Sequence, residues 1–159
     1  MNYSTETKRC RNIRRVLIAL FIVCGYLLST TYAIVPVEID GKETYVYETA
    51  LNLTFGSMGG DTPMAASKFG YLFLILPFIG FFFMFFDKKT NIKNFVGLIC
   101  GVVGALSISF FIGAYVGMGG LLSIFAYMLI AFLSAVSTFL NAQDKKIVKE
   151  APRLDVHEK

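Results

Sequence analysis

The side chains that usually carry chemistry are few in this sequence and poorly placed for it. His157 is the one histidine and sits in the charged stretch Val156-His157-Glu158-Lys159, so neither a histidine-based triad nor a histidine metal site can be assembled. Cys10, Cys24 and Cys100 stand far apart, with no metal-ligand spacing and no disulfide framework. Val23 precedes Cys24 where an acylated lipoprotein cysteine needs a small residue, which excludes lipid attachment there. The glycine-rich run Gly56-Ser57-Met58-Gly59-Gly60 is followed by Asp61 rather than lysine and lacks the pattern that cradles a phosphate. These residues predict a protein with no catalytic, cofactor-binding or metal-binding residue, and so not an enzyme.

What the spacing does point to is packing. Gly97, Gly101, Ala105, Ser109, Gly113 and Gly117 recur at every fourth position, a file of small side chains that lets two helix backbones approach closely. Packing against another helix of the same chain is the favoured reading. A contact with another membrane protein, or with a second copy through this helix, is the sharper one. The file rotates roughly 40° per step around a helix, so one end suits an internal contact and the other an external one. Pro77, close to Gly80, removes a helix hydrogen bond and predicts a kink near Phe73–Pro77 that shapes the helix. Asp40-Gly41 stands between two runs rich in β-branched and aromatic residues, Val35 to Ile39 and Lys42 to Glu48, and predicts a two-residue β-hairpin turn. Thr49 to Phe55 reads as a short helix or a third strand, and Gly56 to Pro63 as a loop.

The elements that position these residues are set by hydropathy. The chain is 55% hydrophobic and 16% charged, with a mean hydropathy of +0.62, too apolar for an ordinary soluble domain. Its apolar residues fall in four runs without Asp, Glu, Lys, Arg or His: 16–35, 69–86, 95–116 and 121–140. At about 1.5 Å per helical residue each run is read as covering a hydrocarbon core of roughly 30 Å and so as able to span it. The fold class read from this pattern is an all-α membrane protein, a bundle of four transmembrane helices with a small external β-hairpin between the first two. The connecting pieces are a basic arm at 1–15, an external segment at 36–68, a cytoplasmic loop at 87–94, an external turn at 117–120 and a cytoplasmic tail at 141–159.

Orientation follows from the charges. Lys8, Arg9, Arg11, Arg14 and Arg15 outweigh Glu6 before the first run, and Lys88, Lys89 and Lys93 outweigh Asp87 after the second. Between these runs Glu38, Asp40, Glu43, Glu48 and Asp61 outweigh Lys42 and Lys68. Lys and Arg stay in short cytoplasmic loops, so both termini are placed in the cytoplasm. A cleaved signal peptide ending at Ala33 is the less favoured alternative, because apolar character resumes at Ile34-Val35. The basic pI of about 9.0 is read as contact with an anionic inner leaflet, not with nucleic acid. Asn141 to Glu150 suits either a short amphipathic continuation of the fourth helix before Pro152 or, equally, a solvated frayed end.

The basic arm, the first run, the segment Thr49-Ala50-Leu51-Asn52-Leu53-Thr54-Phe55-Gly56, the Leu76-Pro77 run and the glycine-rich last two runs together resemble a group of small four-span membrane proteins of Gram-positive bacteria with no assigned activity. The resemblance implies a bacterial plasma membrane and carries over no catalytic residue. The layout is also similar to that of claudins, with a strand-rich segment after the first span, but there is no tryptophan and no external cysteine pair, so the claudin motif is absent. The function expected is protein–protein binding, as an accessory subunit or as an envelope protein presenting 36–68 to an external partner. An oligomeric channel subunit is the alternative, and an immunity protein against a membrane-active toxin a third. Alkaline phosphatase fused within the 36–68 segment is expected to be active and fused within 87–94 inactive; the opposite pattern overturns the orientation.

Overall fold

The computed structural model describes residues 8–39, 41–56, 67–87 and 91–150. The chain is mostly helical with one small sheet. Its elements are α1 (Lys8–Leu27), β1 (Thr31–Ile39), β2 (Lys42–Thr49), α2 (Ala50–Phe55), α3 (Gly70–Phe86), α4 (Ile92–Phe111), a 3-10 turn at Gly113–Tyr115, and α5 (Met118–Glu150). The strands β1 and β2 pair antiparallel, Ile39 against Lys42, and Gly41 takes a φ of 75°, the left-handed conformation the tight turn needs. The expected hairpin is present; Asp40, its other turn residue, lies outside the described residues.

The four long helices each pack on two neighbours: α1 on α3 and α5, and α4 on α3 and α5. Buried residues recur at three- and four-residue spacing on each, as one helical face requires. On α1 they include Leu17, Phe21 and Cys24; on α3, Phe73, Leu76 and Met84; on α4, Gly97, Cys100 and Ile108; on α5, Tyr127, Ile130 and Ser134. The opposite faces are apolar as well. Phe78, Phe82 and Phe86 on α3, Phe110 on α4, and Phe125, Phe132 and Phe139 on α5 are all exposed.

The helix boundaries differ from the hydropathy runs in ways that matter. α1 starts at Lys8, inside the expected arm, and ends at Leu27, well before the end of the 16–35 run. Ser29 Oγ donates to the Tyr26 carbonyl and Thr30 Oγ1 to the Leu27 carbonyl, closing the last turn, and the β-branched and aromatic residues that follow go into β1. The charge-free part of α1, from Val16 to Leu27, is therefore only about 18 Å long. α4 starts at Ile92 and stops at Phe111, short of Val116; Gly113 has a φ of 57°, and Val116 bridges to Ala33. The residues read as a turn, 117–120, are mostly the first turn of α5, which begins at Met118. Among the described residues two helices, Ile92–Phe111 and Met118–Gln143, rather than the four expected, are long and apolar enough to cross a membrane; Gly70–Phe86 is apolar but shorter. Pro77 is buried inside α3, which runs through it without a break. α5 continues to Glu150.

Close contacts at two glycines fix the helix pairs. A Cβ at Gly80 would fall on the Phe21 ring of α1, and a Cβ at Gly101 would lie 2.7 Å from both the Tyr127 carbonyl and the Ala131 amide of α5. In contrast, nothing lies within 4 Å of the Cβ position at Gly25. Gly80→Ala and Gly101→Ala are expected to lower stability by about 1–3 kcal/mol, whereas Gly25→Ala is neutral or stabilising by up to about 1 kcal/mol. Thermal unfolding in one mild detergent separates the two classes, and equal effects at all three positions would contradict the packing described.

Candidate functional site

The end of the molecule that carries the hairpin is its most elaborate part, and several backbone contacts hold it on the helices. The Gly117 amide donates to the Tyr32 carbonyl at 2.9 Å, next to the Ala33–Val116 bridge, and the Ala50 amide donates to the Leu28 carbonyl at 3.1 Å. Thr49 caps α2 by accepting from the Asn52 amide at 3.1 Å. Thr54 Oγ1 donates back to the Ala50 carbonyl at 2.7 Å, and Gly70 at the start of α3 sits directly on Thr54. A Cβ at Gly120 would lie 2.5 Å from the Tyr32 carbonyl and one at Gly117 2.6 Å from the Thr31 carbonyl, so the start of α5 runs against the β1 backbone with no side chain between. The stacked rings of Phe69 and Phe111, 4.3 Å apart, tie the hairpin ends of α3 and α4.

Below the hairpin lies a buried polar group. Tyr32 and Tyr127 are 0% and 1% exposed, and the Tyr32 phenol faces the buried Ser123 hydroxyl without completing a hydrogen bond of good geometry. The Tyr127 hydroxyl also finds no hydrogen-bond partner among the described residues, and its ring packs on Gly104. Cys24 and Cys100 are buried in the same region, and all three cysteines are free thiols. Among the described residues no three His, Cys, Asp or Glu side chains gather to hold a metal.

At the opposite end short polar side chains cap and tie the helices. The Asp87 carboxylate accepts from the Lys93 amide in the first turn of α4 at 3.2 Å, which satisfies a free helix donor and opposes the positive helix end. Asn141 Nδ2 donates to Asn91 Oδ1 at 2.9 Å and ties α5 to the α3–α4 connection. Lys93 and Asn94, expected in a loop, are helical and buried.

The six-residue small file is divided by the structure. Gly97 and Gly101 pack inside, against Ser134 and Met84 and against Tyr127 and Ala131 respectively. Ala105 and Ser109 line a shallow groove of about 400 Å³ along α4 and α5, together with Leu106, Ile124 and Met128, and Gly101 and Ala131 border the same groove. Gly113 and Gly117 are not on α4 at all, because the helix ends at Phe111 and the chain turns toward β1. Gly104 belongs to the internal contact but lies one residue off the four-residue spacing, so a strict search at that interval passes it by. A search at three- and four-residue intervals would have found it.

No family profile, curated protein or solved structure matches the chain. Because the buried phenols have no partner among the described residues, Tyr32→Phe and Tyr127→Phe are expected to leave stability unchanged or to raise it. A loss above about 1.5 kcal/mol in detergent unfolding would show that each hydroxyl is satisfied after all.

Proposed function

We propose that the chain is a four-pass protein of a plasma membrane, bacterial by its resemblance, that performs no reaction and acts by binding. In this reading α1, α3, α4 and α5 form a transmembrane bundle with both termini in the cytoplasm and the hairpin outside. The observation that carries it is the apolar outer surface: large side chains such as Phe82, Phe110, Phe125 and Phe132 point away from the core while small and polar ones such as Ser107, Ser123 and Ser134 point into it. Water would penalise such a surface and lipid does not.

The short charge-free lengths of α1 and α3 are compatible with a bilayer that thins locally. Exposed Arg11 and Arg15 can extend their stems along the helix and keep their charges in the inner headgroup region. The groove along Ala105 and Ser109 supports a lateral contact with another membrane helix, and the anchored hairpin supports a contact outside. Purification from native membranes in mild detergent is expected to retain a second membrane protein or a second copy; a lone monomer under every mild condition would overturn the binding role.

A further inference from the structure

The hairpin has two faces, and the fold uses one of them. Cross-strand partners share a face in an antiparallel ladder, so the register places Ile34, Pro36 and Glu38 of β1 beside Tyr47, Tyr45 and Glu43 of β2. The other face turns Ala33, Val35, Val46 and Glu48 toward the helices, and Ala33 and Glu48 are buried there. On the first face Tyr45 is 58% exposed and Tyr47 66% exposed, and Pro36, Glu38 and Glu43 are exposed as well.

Two features of this open face share one electrostatic preference. Glu38 stands directly opposite Glu43, a like-charge pair that weakens the ladder, and neither forms an ion pair with another described residue. Lys42 alternates onto the other face and does not compensate them. Next to the carboxylates, the two phenol rings lie two residues apart on one strand, and aromatic faces attract guanidinium and ammonium groups. An anionic lipid surface is disfavoured by the same carboxylates. A local feature that costs stability and stays exposed is the kind of departure found at sites of contact.

We infer that this face docks a cationic segment of a partner polypeptide outside the cell, with Arg or Lys heads on Glu38 and Glu43 and their stems across Tyr45, Tyr47 and Ile34. The inference rests on the reading of the hairpin as displayed outside and adds the chemistry of the partner. Arginine suits the pair best, because a planar guanidinium meets a carboxylate through two parallel hydrogen bonds and stacks on a phenol.

The test uses the full chain in nanodiscs of zwitterionic lipid, with a short Arg-Gly repeat peptide as probe and a Glu-Gly repeat as its control. The Arg-Gly peptide is expected to bind with an affinity that falls steeply with added salt, and the double variant Glu38→Gln, Glu43→Gln to weaken it about tenfold. Tyr45→Ala with Tyr47→Ala is expected to weaken it as well. The glutamine variant removes a repulsion, so its melting temperature should hold or rise, which separates lost binding from lost folding. Equal binding of the two peptides, or full binding by the glutamine variant, overturns the inference. A photo-crosslinker at position 47 in living cells separates it from the underlying reading. An adduct whose contact segment carries no Arg or Lys sinks the cationic partner alone, whereas no adduct from any hairpin position sinks both.

Discussion

The backbone of Thr31 and Tyr32 lies directly against the start of α5, and the arrangement of the hairpin end follows from that contact. Buried amides and carbonyls need partners, and where lipid replaces water they need them more strictly. The Tyr32 carbonyl takes its partner from Gly117, and Ala33 pairs with Val116, which requires the chain to leave helical geometry after Phe111. The positive φ of Gly113 makes that departure sterically cheap. Gly117, Gly119 and Gly120 then bring α5 within contact distance of β1, where any larger side chain would hold the two apart. The two-stranded sheet would be marginal alone; here a bridge to Val116 and the packing of α2 on α3 support it.

The helices beneath turn their serines and most close-packing glycines inward and carry large apolar side chains on both sides. Their mutual contacts combine Leu17, Leu76, Met84, Ile108 and Ile130 with glycine, serine and a few aromatic rings, and their outward faces are large and apolar, phenylalanine above all. Where lipid surrounds the helices there is little free energy to gain by hiding apolar surface, so dispersion contacts between closely approaching backbones decide which faces meet. The tight seats of Phe21 on Gly80 and of Tyr127 on Gly104 are contacts of that kind. It also makes the buried Tyr32, Ser123 and Tyr127 hydroxyls notable, since each introduces a polar oxygen into a region otherwise filled by apolar side chains and two thiols.

The two ends of the molecule are finished by different means. At one, the Asp87 carboxylate caps the first turn of α4 and the Asn91–Asn141 side-chain bond ties α5 to the residue before that helix. At the other, main-chain bonds carry the hairpin, which leaves its side chains available on the outer face. A sheet held by its backbone and by one of its faces presents the remaining face in a fixed geometry, which suits recognition.

Much of this was legible in the sequence. Asp40-Gly41 between two β-branched runs determines the hairpin and its register, because turn chemistry and side-chain alternation are local properties. Uncharged runs determine where helices lie, because length and hydropathy need no knowledge of neighbours. The ends of those helices were decided only by the tertiary structure. Leu28 to Val35 and Ile112 to Val116 carry no charge, like the helical runs they follow, and a search for uncharged runs extends the helices through them. They leave helical geometry because they meet each other across the fold, and a pairing between residues more than eighty positions apart has no local signature. The small-residue file divides for the same reason: the sequence determines that Gly97 to Ser109 is a close-packing stripe, while the direction and end of α4 decide that Gly97 and Gly101 contact α5, that Ala105 is half-buried beside the groove and that Ser109 is exposed.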